Sequence, residues 1–184
     1  PRPTDDGRLM LHTDKQVFYI STDGSAPAGG FKGIPMWKQG VRNRCGPLNV
    51  CPSPDGKWVY VSGPCAGWIV GCGNSKPLPE WPDGRVYRFD AKAGGADRFV
   101  DLKVPPERAA QSKNLVRWPG YLGGWSSAGG VAVDADGNVL VCDRANDKVQ
   151  VYSPEGKPVG GLDVTDPWKV MVHPETGEVY VTVK

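Results

Sequence analysis

The sequence has no apolar run approaching the ~18 residues that a membrane-crossing helix needs, which excludes a helical membrane span. It also has no block of like charge. Lys+Arg 22 and Asp+Glu 20 are scattered through the chain and leave a formal net charge of +2. A nucleic-acid surface needs a clustered basic field, so no nucleic-acid partner is expected. Histidine is scarce, with only His12 and His173 present. A hydrolytic zinc centre takes about three His or acidic ligands, and two histidines beside turns support none on their own. Nucleophile elbow, P-loop, dinucleotide fingerprint and haem Cys-x-x-Cys-His are all missing. The opening Pro1-Arg2-Pro3-Thr4 lacks the basic start and apolar stretch of a secretory signal, and it lacks an initiator Met. The chain is therefore expected to begin after processing, truncation or missing sequence.

What is present is a core-forming composition broken into short pieces. With 39% hydrophobic residues the chain can bury a core, which excludes intrinsic disorder. Gly 25 and Pro 18 lie between apolar runs and punctuate many short elements, an all-β pattern. Five cysteines are spaced without any Cys-x-x-Cys pair. Cys45, Cys51, Cys65 and Cys72 are local to one region and are candidates for one or two surface disulfides. Reduced thiols are the alternative and zinc a third. Cys142 sits in an apolar strand and is expected to be buried and unpaired. Disulfides imply a periplasmic or extracellular location.

A repeat organises the chain. From Gly130 to Gly156 three alternating runs follow one another: Val131/Val133, Val139/Val141 and Val149/Val151. An Asp136-Gly137 turn joins the first pair, and a turn at Pro154-Glu155-Gly156 leads to a fourth strand near Val159, giving a four-stranded antiparallel meander. The turn and second strand recur at Asp14–Ser21, Asp55–Ser62 and Thr176–Val181. Measured at residues 15, 56, 137 and 177 the steps are 41, 81 and 40 residues. A period of ~40–45 residues with four strands per unit is the signature of a β-propeller blade. The double step is read as insertions. The whole chain, 1–184, is then a single propeller fragment of about three and a half blades. The first blade covers about 7–44, the second with its insertion about 48–102, the third about 129–163 and a half blade 167–184, with a connection over 103–128. Such a piece cannot close a ring, so the remainder of a six-bladed propeller, or another polypeptide, is the expected partner.

Two resemblances sharpen this reading. Val131-Ala-Val-Asp134, Asp136-Gly-Asn138, Asp143-Arg-Ala-Asn146 and Val149-Gln-Val-Tyr152 resemble the NHL repeat, which implies the propeller fold and, by itself, little chemistry. The first seventy residues also resemble six-bladed glucose and sorbosone dehydrogenases that use pyrroloquinoline quinone. The segments that carry this are Thr4-Asp-Asp-Gly7-Arg8-Leu9, Gly40-Val-Arg42-Asn43 and Ser62-Gly63-Pro64, in that order. The resemblance implies that Arg42 and Asn43 contact the quinone and that the Gly63 and Pro64 carbonyls ligate calcium, a cation that takes hard oxygen donors. Thr4 stands where that family places its histidine base, and a threonine hydroxyl takes no proton at neutral pH.

Against these stand plainer roles: Arg42 pairing with a neighbouring carboxylate, Asn43 making a turn, and Asp134-Ala-Asp136-Gly-Asn138 serving a hairpin, not a calcium loop. Trp58 lies in a strand and is expected to pack. Trp68, Trp81, Trp118 and Trp125 fall in the insertions and are candidates for a ligand or partner surface. The leading functional expectation is an exported NHL-like propeller that binds a partner or small ligand through its inserted loops. The alternatives are a quinone- and calcium-dependent sugar or aldehyde dehydrogenase fragment and a metal-dependent lactonase-like propeller.

Overall fold

The computed structural model describes residues 2–3, 8–13, 16–25, 33–35, 49–62, 85–103, 105–107 and 128–184. Nearly all of them are strand or turn. The first sheet holds β1 (Arg2–Pro3), β2 (Arg8–His12), β3 (Gln16–Ser21) and β4 (Ile34–Pro35). The second holds β5 (Asn49–Pro52), β6 (Trp58–Ser62), β7 (Arg85–Asp90) and β8 (Gly94–Asp101). The third holds β9 (Ala128–Val133), β10 (Val139–Asp143), β11 (Lys148–Tyr152) and β12 (Pro158–Asp163), and the fourth holds β13 (Pro167–Val172) and β14 (Val179–Val183). In each sheet the strands lie in chain order, and every pairing is antiparallel. This is a run of propeller blades. One strand was not foreseen: β1 pairs with β2, Arg2 opposite Met10.

The sheets stack face to face, and the strand sequences show why. Both faces of β10, Val-Leu-Val-Cys-Asp, are buried, so it reads as a continuous apolar run, as a strand covered on both sides must. Its alternation divides the side chains between two neighbours. Val139 and Val141 join the core shared with the second sheet, while Leu140 and Cys142 join the core shared with the fourth. In the second sheet Val50, Val59 and Val61 meet Met10 and Val17 of the first, while Cys51 and Tyr60 meet the third. Three cores therefore lie between four sheets.

The turns follow local chemistry. At the third hairpin Gly137 has φ +82°, a conformation that suits glycine. Asp134 closes that turn by accepting from the Asn138 backbone N–H at 2.7 Å and the Asn138 amide at 2.9 Å, so both of its carboxylate oxygens are used within the hairpin. Turn lengths differ by one residue between sheets. The last cross-strand pair is Pro52–Val59 in the second sheet and Val133–Val139 in the third. Tyr60, not Val59, is thus the counterpart of Leu140, one place away from an alignment on the turn glycines.

The third and fourth sheets approach closely at their inner strands. A Cβ on Gly130 would come within 2.7 Å of the Lys169 Cα and 2.8 Å of the Val170 nitrogen. Only glycine lets β9 and β13 lie this close.

Candidate functional site

The pairing register sorts the connections onto two ends of the stack. Ser62, where β6 ends, lies opposite Asn49, where β5 begins, and Arg85, where β7 begins, lies opposite Asp101 at the end of β8. The stretch from β6 to β7 and the stretch from β8 to β9 therefore leave from the same end as the β10–β11 turn and the link from β12 to β13. The short hairpin turns occupy the opposite end.

Most of the candidate residues belong to those long connections. Arg42, Asn43, Gly63, Pro64, Trp68, Trp81, Trp118 and Trp125 lie outside the described residues, as do Cys45, Cys65 and Cys72. Cys51 is buried on β5 against the third sheet. What is described are the roots of the connections. The Ser62 hydroxyl, fully buried, donates to the Gly129 carbonyl, and the Asn49 amide donates to the same oxygen at 3.1 Å. These two bonds tie the first root of the 63–84 stretch to the inner strand that follows the 103–127 stretch.

Beside them is a buried polar cluster that sequence reasoning had treated only as a fold signature. The Asn146 amide donates to both Asp143 carboxylate oxygens, at 3.0 and 2.8 Å, and to the Lys103 carbonyl at 2.7 Å. Gln150 also reaches Asp143, at 3.4 Å. Burial raises the Asp143 carboxyl above its ordinary range, opposed by the Asn146 and Gln150 hydrogen bonds. Arg144 is buried too, and its Nε and one Nη each meet Asp166 Oδ1 at 2.8 Å. Its guanidinium lies 4.8 Å from the ring centre of Trp168, and Lys184 lies 4.4 Å from the same ring. Asp147, with φ 51°, accepts from the Asp166 N–H at 2.9 Å, which fixes the link into the fourth sheet. The Asp-x-x-Asn spacing was the available signal for Asp143 and Asn146. Arg144 lies within the same motif, but its pairing with Asp166 and its stacking on Trp168 join segments with no local signal for each other.

The hairpin end is different in character. A cleft of about 520 Å³ lies between the second and third sheets, lined in part by Ser53, Lys57, Trp58, Arg88, Asp136 and Glu155. Arg88 is held there by stacking, 4.5 Å from the Trp58 ring centre and 5.3 Å from that of Phe99, and by donating to the Pro154 carbonyl at 2.8 Å. Trp58 accordingly packs. A second cleft of about 440 Å³ is bordered by Cys51, Val133, Val172 and His173. His173 Nδ1 accepts from the Glu175 and Thr176 N–H groups at 3.3 and 3.2 Å, and His12 sits beside Thr13, so both histidines serve turns. Among the described residues no group of three or more His, Cys, Asp or Glu is placed to hold a metal ion. Among them, too, no helix is long and apolar enough to cross a membrane.

Comparison with known proteins places these features in the β-propeller class. The family model of the NHL repeat matches residues 126–152, which span β9 to β11. A search of curated proteins gives no significant match. Among solved structures, the nidogen/laminin complex is similar with a TM-score of 0.55 at 13% identity, over 96% of this chain and 52% of that one. Regucalcin, a calcium-binding protein from Agrobacterium tumefaciens, gives 0.53 at 17% identity over 98% and 51%. Virginiamycin B lyase from Staphylococcus aureus gives 0.51 at 10% identity over 98% and 47%. The chain spans about half the length of these structures, and at such identities the likeness is one of fold.

Proposed function

We propose that this chain is part of an exported propeller that binds a partner or small ligand at the end from which its two long connections leave. The observation that carries the reading is the common origin of the 63–84 and 103–127 stretches, whose roots are joined through the Gly129 carbonyl. Four tryptophans, Trp68, Trp81, Trp118 and Trp125, lie in these stretches, and loops on a rigid scaffold are the usual place for binding. Arg144, stacked on Trp168 and paired with Asp166, forms part of the rigid base at that end of the stack. Two of the five cysteines, Cys65 and Cys72, belong to the 63–84 stretch, which supports an oxidising compartment.

The test is deletion of residues 65–79. Circular dichroism and the melting curve are expected to keep the sheet signature. Ligand-dependent tryptophan quenching, screened with aldoses, lactones, and pyrroloquinoline quinone with calcium, is expected to disappear. Unfolding on deletion, or titrations that match those of the parent, would make the segment structural and sink the proposal. Quinone bound with calcium, together with reduction of an artificial acceptor by an aldose, would move the reading to the dehydrogenase class.

A further inference from the structure

Arg88 holds an inter-sheet position without a counter-ion. It stands opposite Tyr60, on the face of the second sheet that meets the third. The corresponding pair in the third sheet is Leu140–Val151, and Val151 packs into the next core. Where one blade has a valine the other has a half-buried charge, which needs a partner to offset its lost hydration. Arg144 has one: it stacks on Trp168 and pairs with Asp166. Arg88 stacks on Trp58 in the same way, yet it makes no ion pair among the described residues. Its guanidinium is nevertheless held in place, resting on the Trp58 and Phe99 rings and donating through one Nη to the Pro154 carbonyl at 2.8 Å. The remaining N–H groups of the planar fork are left for a ligand. Tyr60 borders the same cleft; burial raises its phenol above the ordinary value, opposed by a hydrogen bond with Arg88, so the hydroxyl stays protonated beside the guanidinium.

We propose that the cleft between the second and third sheets at the hairpin end binds a small zwitterion of the short-peptide class. Arg88, beside the Tyr60 hydroxyl, takes its C-terminal carboxylate, and Asp55, Asp136 and Glu155 take its ammonium group. The lining sorts charge by depth. Tyr60 is 1% exposed and Arg88 half-buried, whereas the three carboxylates and Lys57 are exposed at the mouth. Asp55 accepts from the Ser53 hydroxyl and the Lys57 N–H through Oδ1 alone, and Glu155 accepts from the Ser153 hydroxyl through Oε2 alone. These bonds orient both side chains and leave each an oxygen for the ligand. A simple anion would meet three carboxylates on its way to Arg88, and a simple cation would meet Arg88 at the bottom. A ligand that carries both charges satisfies the two zones, and a carboxylate matches the guanidinium fork with two parallel hydrogen bonds. At about 520 Å³ the cleft lies within the range of small-molecule sites. It opens at the end opposite the two long connections and is independent of ligand binding there.

Triglycine is the probe, with its C-terminal amide and its N-acetyl derivative as controls. In NMR spectra of the 184-residue chain, triglycine at about millimolar concentration is expected to shift the Arg88 Nε–H and Trp58 indole N–H signals. The amide, which lacks the carboxylate, is expected to bind about tenfold more weakly, and the N-acetyl peptide, which lacks the ammonium group, about fivefold more weakly. Arg88→Met keeps an apolar stem on Trp58 and is expected to abolish the titration. If that variant does not fold, Asp136→Asn combined with Glu155→Gln, both at exposed positions, is expected to weaken triglycine binding about fivefold with the melting curve unchanged. Deletion of residues 65–79 is expected to leave this titration as it is, which separates the cleft from binding at the loop end. The proposal is overturned by the absence of shifts at about 20 mM triglycine, or by equal affinity for either derivative. Unchanged affinity in a folded variant of the cleft, or loss of the titration in a folded deletion variant, overturns it as well.

Discussion

Cys142 is fully buried between the third and fourth sheets, and burial pushes its thiol up to about 12, with the Gly130 hydrogen bond and Arg144 opposing the shift. At pH 8 almost none of it is thiolate, so a disulfide reagent is expected to label Cys142 in the native protein only as fast as the structure opens; rapid native labelling would contradict the packing. Asp55 shifts the other way. The Ser53 hydroxyl and then the Lys57 N–H donate to its carboxylate and hold it below the ordinary value of 3.8. A depressed carboxyl contributes stability that is present above the ordinary value and is lost as pH falls through the folded one. Ser53→Ala should raise the Asp55 titration midpoint toward 3.8 in an NMR titration. Its melting temperature should lie below that of the parent at neutral pH and approach it in acid. Parallel curves down to low pH would assign the Ser53 effect to its bond with the Trp58 carbonyl instead.

At the scale of the element, the inner strands β9 and β13 set how close the third and fourth sheets can come. Gly130 lies against the backbone of Lys169 and Val170, which cannot yield as a flexible side-chain tip can. Gly130→Ala is expected to cost about 1–3 kcal/mol as β9 and β13 separate, an overpacking penalty measurable by urea denaturation. An unchanged midpoint would show that the strands slide freely. The hairpins show how much a single residue matters in a sheet. The second hairpin carries one residue more between its turn glycine and first cross-strand pair than the third does, and with a period of two such an addition exchanges the two faces unless the register absorbs it. Here the pairing absorbs it, and valines still face the preceding sheet in both.

Across the whole molecule, the value of a position depends on whether a neighbouring sheet is there. Tyr60 and Tyr180 hold equivalent places, one buried in a core with Phe99 edge-on at 5.0 Å, the other bonded through its hydroxyl to exposed Glu178. Tyr60→Ala should cost about 3–5 kcal/mol, as large-to-small changes in cores do. In the 184-residue chain Tyr180→Ala should cost no more than about 0.5 kcal/mol, as expected of a surface site. Comparable losses at both positions would mean that the fourth sheet is already covered in solution.

The sequence by itself determined the all-β class, the roughly forty-residue repeat, the third blade's four strands and the burial of Cys142. Each of these is written in contiguous residues through alternation, Asp-Gly turns and apolar runs. The tertiary structure decided what depends on pairing between distant segments. It showed that the two long connections share an end, that Tyr60 matches Leu140, and that β1 joins the first sheet. It also brought Arg144, Asp166 and Trp168 together, and it turned Met171 and Tyr180 outward. A side chain's alternation tells which face it occupies, but only the neighbouring sheet tells what that face meets.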